Sequence, residues 1–258
     1  MKISVVNLSY KRPKGVLTLE YLPFLRVYVD PSEEAEYRKA NPGADIVACP
    51  KGIQGNVSRV RNYILREEFE QRGADVVLIV DDDLNGVYIW EKNQRVRLNA
   101  DALMMFIEKY SRLAEEWGAK FWGVNVNQDK QVYRENTPFA TLSFVGGPFQ
   151  CFLKGNECFY DERLPLKEDY DMTLQQLNKY RIVMRINKAY YVAKQSEQTG
   201  GCAAYRTIER EREQMAALRK KWGGKIVAID RNKRSHNLKK IKALVDYNPL
   251  IHAPISGV

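Results

Sequence analysis

Three consecutive carboxylates, Asp81-Asp82-Asp83, directly follow the aliphatic run Val76 to Val80. Adjacent carboxylates repel one another unless a cation offsets them, and hard oxygen ligands suit Mg²⁺ or Mn²⁺. In open α/β sheets, ligands bind beyond the carboxyl ends of the strands, so the triplet reads as a divalent-metal site rather than a solvated acidic turn. A second acidic group, Lys167-Glu168-Asp169-Tyr170-Asp171, opens a helical pattern shortly after Phe159-Tyr160-Asp161-Glu162. Acidic residues there offset a helix dipole; beside the triplet, they also offer a carboxylate free of metal that can take a proton. The two histidines, His236 and His252, exclude a multi-histidine zinc site and leave a Ser/His/Asp triad few candidates for its base. Cys49, Cys151, Cys158 and Cys202 are spaced neither as a disulfide framework nor as a CxxC zinc clip, and read as reduced, mostly buried thiols. Chemistry therefore falls to the carboxylates.

The elements that must hold them are those of an α/β domain. At 258 residues, 45% hydrophobic and 28% charged, the chain is long enough for one large globular domain or two small ones, and disorder is excluded. Its longest aliphatic run is far short of the roughly 18 to 20 apolar residues of a bilayer crossing. Met1 to Leu8 lacks a secretory pattern, so the expected location is the cytoplasm, or the host cytoplasm for a phage-encoded chain. Strands are expected at Lys2 to Leu8, Arg26 to Val29, Asp45 to Ala48, Val76 to Val80, Phe121 to Val126, Ile182 to Ile186 and Ala189 to Val192. Thr141 to Phe152 reads as paired strand segments broken by Gly146-Gly147-Pro148. Helices are expected over Ser32 to Ala40, Val57 to Arg72, Asn99 to Trp117, Asp171 to Tyr180 and residues 206 to 222. Five aliphatics in a row at Val76 to Val80 describe a strand buried on both faces, mid-sheet. Asn127 to Asn136 and Gln195 to Gly201 read as polar loops.

Charge divides the chain. Residues 1 to 180 hold 24 Lys and Arg against 26 Asp and Glu, whereas residues 181 to 258 hold 17 against 6, a local net charge of +11. Such a basic third suggests a polyanionic partner, nucleic acid or anionic lipid, against the plainer alternative of a solubilising face. Within it, Arg219-Lys220-Lys221 and Arg231-Asn232-Lys233-Arg234 are the clusters suited to phosphates. Met215, Leu218 and Trp222 share a helical face and read as packing residues.

The order Tyr10-Lys11-Arg12-Pro13, Val29-Asp30, Arg61-Asn62, Asp81 to Asp83, Asp161-Glu162 and Glu168-Asp169 resembles the GT-A fold of nucleotide-sugar glycosyltransferases over roughly residues 1 to 195. With Gly52 to Asn62, Thr199-Gly200-Gly201 and the basic end, it looks more narrowly like the TET-associated glycosyltransferases. These phage and eukaryotic enzymes, the base J glucosyltransferase among them, place sugar on hydroxymethylated pyrimidines in DNA. The resemblance implies a mostly parallel, Rossmann-like GT-A sheet flanked by helices. Its donor half would cover about residues 1 to 98 and its acceptor half about 99 to 195, with a basic helical extension over 196 to 258. It further implies a UDP-sugar donor and a Mn²⁺ or Mg²⁺ ion. Asp30 would sit by the uracil or ribose, with Tyr10, Arg12 and Arg61 lining the nucleotide pocket. Asp83 would ligate the metal, and Asp81 and Asp82 would touch ribose, sugar or metal-bound water. Asp169 would be the general base, and Glu168 would orient it or the acceptor. One departure is that nothing places His236 or His252 as the extra metal ligand of many members.

The expected reaction is hexose transfer, glucose by family tendency, to the hydroxyl of 5-hydroxymethylcytosine or 5-hydroxymethyluracil in DNA. Direct displacement would invert the anomeric centre, but an acidic pair alone does not choose between inversion and retention. Residues 127 to 137, with Tyr133 and Arg134, form the candidate acceptor loop. The competing reading is a GT-A enzyme acting on a glycan, protein or lipid-linked acceptor. A binding module with a degenerate site and a two-metal nucleotidyl transferase are further alternatives, the latter lacking recognisable phosphate-gripping lysines.

Overall fold

A computed structural model of the chain describes residues 1–130, 133, 135–194, 201–229 and 249–255. The first half builds four parallel strands, β1 (Ile3–Leu8), β2 (Arg26–Val29), β3 (Asp45–Ala48) and β4 (Val76–Asp81), ordered β3-β2-β1-β4. Their connections carry α1 (Thr18–Tyr21), α2 (Glu34–Ala40) and α3 (Val57–Arg66), the last continuing as a π-helical stretch over Glu67–Gln71. Asn56 caps α3 by accepting from Arg59 N. All five aliphatics of β4 are fully buried, as their unbroken run demands.

Beyond β4 the sheet continues through β9 (Phe149–Leu153), β7 (Phe121–Asn125), β10 (Met184–Ala193), β5 (Leu84–Glu91) and β6 (Gln94–Arg97), while β8 (Phe139–Ala140) pairs with β10. Most strands run in one direction; β5, β8 and β9 run against it. Helix α4 (Ala100–Glu116), capped by Asn99 and ended at Gly118 with φ +76°, packs Leu103, Phe106 and Ile107 into the larger core around Trp122. The second core holds Val60, Ile64 and Leu65 of α3 with Met172 and Leu177 of α5 (Glu168–Tyr180).

Three expectations change. Thr141 to Phe152 does not pair with itself: β9 inserts between β4 and β7, and the short β8 lies at β10. The two strands expected after Tyr180 are one, β10, whose register with β7 shifts between Ile186 and Tyr190. The unforeseen β5–β6 hairpin turns on Lys92 and Asn93, both with positive φ, at 45° and 68°, as a two-residue hairpin turn requires.

The basic end is not wholly helical. Helix α6 (Ile208–Trp222) is followed by β11 (Val227–Ile229), which pairs with β12 (Pro249–Ile251). Met215 and Leu218 of α6 pack against Leu164 and Leu174, so the helix is seated on α5. Trp222 Nε1 and Lys221 Nζ both reach Asp171, at 2.8 Å each. No helix among the described residues is long and apolar enough to cross a membrane.

Candidate active site

The carboxyl ends of β1 and β4 and the first turn of α5 converge on a cavity of about 510 Å³. Its wall includes Tyr10, Arg12, Arg61, Asp81, Asp82 and Asp83 on one side and Glu168 and Asp169 on the other. The two acidic groups, 85 residues apart in sequence between Asp83 and Glu168, thus face one space.

Each member of the triplet has a different environment. Asp81 opens toward the cavity, and its Oδ1 accepts from Arg61 Nη2 at 3.1 Å. Asp82 is buried, accepts from Ser9 Oγ, and lies 3.1 Å from Arg12 Nη1. Burial pushes its carboxyl up to about 6, although Arg12 and Ser9 pull it down. Asp83 is 4% exposed and its Oδ1 has no hydrogen-bond partner. Burial, reinforced by the charges of Asp81 and Asp82, raises it to about 7. A carboxylate oxygen left unpartnered in a buried acidic cluster is where a cation gains most. Among the described residues, no three acidic, cysteine or histidine side chains cluster so as to hold a metal unaided. The residues fit a divalent ion whose coordination is completed by substrate phosphates and water, the habit of Mg²⁺. Asp83 and Asp81 would be its protein ligands.

The backbone of the triplet is fixed by Thr18, absent from the sequence expectations. Its Oγ1 donates to Asp81 O at 2.7 Å and accepts from Leu84 N at 2.9 Å, while its own N–H donates to Asp82 O at 3.1 Å. Arg61 is the second organiser. Fully enclosed, it donates from Nη1 to Gln150 Oε1 at 2.6 Å and from Nη2 to Gly147 O at 3.2 Å. Burial alone would lower its pKa, but Tyr160, Asp81 and Glu168 raise it, and it stays a cation.

Across the cavity, Asp169 Oδ2 accepts from Gly147 N at 3.3 Å and Oδ1 from Tyr170 N at 2.8 Å. Burial raises its pKa, opposed by Arg61 and these amides. Glu168 is pushed up to about 8 by burial and by the charge of Asp169. At neutral pH the pair therefore holds a proton mainly on Glu168, with Asp169 the better placed to be charged and to accept another. Gly147 links the two sides through its backbone, its carbonyl accepting from Arg61 and its N–H donating to Asp169, while a Cβ there would meet Arg61 Nη2 at 3.4 Å and Asp169 Oδ2 at 3.7 Å, ordinary contact distances. The sequence signal was the Gly146-Gly147 pair, read only as a strand break.

Other expected residues are placed as follows. Gly201 closes the cavity near Arg12: its N–H donates to Tyr10 O at 2.9 Å, its φ of +53° favours glycine, and a Cβ would fall 1.8 Å from Arg12 Nη2 and displace that guanidinium. Thr199 and Gly200 lie outside the described residues. Asp30 is not in the cavity lining; it caps the turn after β2, accepting from Ser32 N and Oγ at 2.9 and 2.6 Å. Tyr133 is also absent from the lining, and Arg134 lies outside the described residues. His252 follows β12 away from the cavity, and His236 lies outside the described residues. Arg219 and Lys220 are exposed on α6, whereas Lys221 is drawn to Asp161 and Asp171 at 3.0 and 2.8 Å. Arg231, Lys233 and Arg234 lie outside the described residues. All four cysteines are free thiols.

Residues 3–201 match the family described as TET-Associated Glycosyltransferase. No curated protein matches the chain by sequence. Among solved structures, Staphylococcus aureus TarS 1-349 (S. aureus) is similar at 17% identity and a TM-score of 0.50, with 85% of this chain and 66% of that chain covered. This chain therefore spans just under two thirds of that TarS chain. Glucosyl-3-phosphoglycerate synthase from Mycobacterium tuberculosis, in complex with Mn²⁺, UDP and phosphoglyceric acid, is 13% identical at a TM-score of 0.49, with 86% and 78% covered. At such identities the TarS likeness speaks to the fold alone, a GT-A arrangement of sheet and helices. The family match takes in both acidic groups, Arg61 and the Gly201 contact, and spans well over half the chain: the protein belongs to the TET-associated glycosyltransferase family.

Proposed function

We propose that the protein transfers a hexose from a UDP-sugar to the hydroxyl of a 5-hydroxymethylpyrimidine in DNA. The observation that carries this is the single cavity into which Asp83, with its unpartnered oxygen, and Asp169, held by two backbone amides, both open. One is suited to the donor diphosphate and the other to the acceptor hydroxyl.

A primary alcohol is a poor nucleophile at neutral pH, so a carboxylate within reach must accept its proton as the new bond forms. Asp169 takes that proton. The oxygen attacks the anomeric carbon, the bond from that carbon to the UDP oxygen breaks, and the bonding pair leaves with UDP. Attack opposite the leaving group inverts the centre. Glu168, mainly protonated beside Asp169, donates toward the acceptor or steadies the base. Arg61 keeps a fixed positive charge between the two acidic groups, and Arg12 holds Asp82 in place. Asp83 and Asp81 would hold a divalent ion, whose charge would stabilise the departing diphosphate.

A DNA acceptor is supported by the family's description and by the basic final third, of which Arg219 and Lys220 stand exposed on α6. Position 5 of a pyrimidine points into the major groove, open to reading in place or after flipping of the nucleotide. The test is transfer of labelled sugar from UDP-sugars, with Mn²⁺ present, to DNA containing 5-hydroxymethylcytosine or 5-hydroxymethyluracil. Label on either base supports the proposal; label only on glycan, protein or lipid-linked acceptors overturns it.

A further inference from the structure

The β5–β6 hairpin carries a surface that the transfer chemistry does not use. On β5, Val87 and Ile89 enter the main core, which leaves Tyr88 and Trp90 on the opposite face, both partly exposed. Their partners on β6 are Arg97 and Arg95, and both arginines are exposed. Tyr190 of β10 stacks on Tyr88 with ring centroids 5.6 Å apart and planes 13° apart, and Trp90 lies 5.8 Å from Tyr190. Arg95 lies over the Tyr88 ring at 3.9 Å. Arg97 is 4.7 Å from the Tyr21 ring and donates to Asn85 O at 2.7 Å.

Among the described residues, neither Arg95 nor Arg97 forms an ion pair with a carboxylate. Positive charge is thus presented on a flat aromatic platform and left unneutralised, in contrast to Lys221 or Arg163, which are engaged by Asp161. Surface arginines that serve only solubility need no stacked rings beneath them. Guanidinium groups lying over aromatic rings suit a partner that offers both repeated negative charge and planar faces, which is a nucleic acid strand. An acidic protein surface offers the charge without the rings.

The position of the platform also matters. Leu84, the first residue of β5, follows Asp83 directly, and Trp90 is six residues further, roughly 20 Å along an extended strand. The strip therefore leads away from the acidic triplet over a length that several nucleotides occupy.

We propose that the face formed by Tyr88, Trp90, Arg95 and Arg97 binds a strand of DNA running outward from the catalytic cavity. This deepens the DNA-acceptor reading and partly rests on it. It assigns binding to a near-neutral part of the chain, where the overall charge distribution gave no hint of it.

The test uses the full chain and oligonucleotides without hydroxymethylated bases, so that binding is measured apart from transfer. Arg95→Ala and Arg97→Ala are made singly and together, with circular dichroism and thermal melting to verify folding. The double variant is expected to bind single-stranded DNA on the order of tenfold more weakly near physiological salt. Its plot of log affinity against log salt should be shallower by about 1.4, for two lost phosphate contacts. Arg95→Lys, which keeps charge but loses the planar stack, should retain the slope and still bind more weakly. Tryptophan fluorescence is expected to be quenched on DNA addition, and Trp90→Phe should remove part of that quenching. Unchanged affinity and slope in a folded double variant overturn the assignment. So does equal, equally arginine-dependent binding of polyglutamate, which would give the face to an acidic protein. If the wild type modifies hydroxymethylated DNA while the double variant binds like wild type, the face fails and the function stands. If the face binds DNA but no acceptor DNA is ever modified, the face stands and the proposed function fails.

Discussion

The guanidinium of Arg61 and the carboxylate of Asp81 meet at 3.1 Å, joining helix α3 to the end of the central strand β4. From the same side chain, Nη1 reaches Gln150 on β9, and Nη2 also reaches the Gly147 carbonyl, whose residue donates its N–H to Asp169. One buried arginine thus bridges Asp81 and the Gly147 backbone that holds Asp169.

Truncating it should therefore damage both fold and chemistry. Arg61→Ala leaves Asp81 Oδ1 and the Gly147 carbonyl without their donor, and Gln150 Oε1 with the Tyr160 hydroxyl alone, and is expected to cost about 3 to 5 kcal/mol, as for other broken buried charge pairs. Arg61→Lys keeps the charge but not the fork and should recover only part of this. Urea denaturation of the three proteins checks the order.

Asp83→Asn separates stability from activity. Its oxygen is unpartnered and buried beside two other carboxylates, so neutralising it should leave the melting temperature equal or higher at pH 7 and above. Mn²⁺-dependent UDP binding should fall at least tenfold by calorimetry. Unchanged binding would indicate that the triplet is structural.

The Glu168–Asp169 pair predicts the pH dependence. Both carboxyls are raised, Glu168 to about 8, so the folded chain holds more protons than the unfolded chain above the ordinary carboxylate range. Stability from this pair is therefore full below about pH 4 and is lost as pH rises toward 8. Glu168→Gln should flatten that fall in melts across the range. Because Glu168 is already neutral where Asp169 titrates, the substitution removes no charge from beside Asp169, and the acid limb of kcat/KM should stay where it is in the wild type.

Glu211 of α6 tests whether the C-terminal segment serves the site. It lies in the cavity wall, receives Lys167 immediately before Glu168 and Asp169, and is 3.1 Å from Arg206. Glu211→Ala strands Lys167, which is 2% exposed, and should destabilise the fold by about 3 kcal/mol. Glu211→Gln should recover part of it, as read by denaturation.

The strands β1 to β4, helices α2 to α4 and the two acidic groups were legible because each rests on local signals: aliphatic runs, helical periodicity, capping asparagines and glycine stops. What escaped depends on contacts distant in sequence. Thr18 supports the triplet from 63 residues away, a relation no spacing announces. Asp30 follows its strand as expected, yet a local turn with Ser32 takes up its carboxylate. The β5–β6 hairpin, where no strand was expected, was readable in principle, since Tyr88 and Trp90 alternate with Val87 and Ile89. The order of β9, β7 and β10 in the sheet is set by packing, which periodicity does not encode.

Mass analysis of nucleosides from hydroxymethylated DNA treated with UDP-sugar and Mn²⁺ tests the central claim most directly, that Asp169 takes the acceptor proton while Asp83 serves the donor. The wild type should add one hexose to the modified base. Asp169→Asn should add none while retaining Mn²⁺-dependent UDP binding. Hexose transfer by Asp169→Asn at the wild-type rate, or no transfer by a wild type that binds UDP, would contradict it.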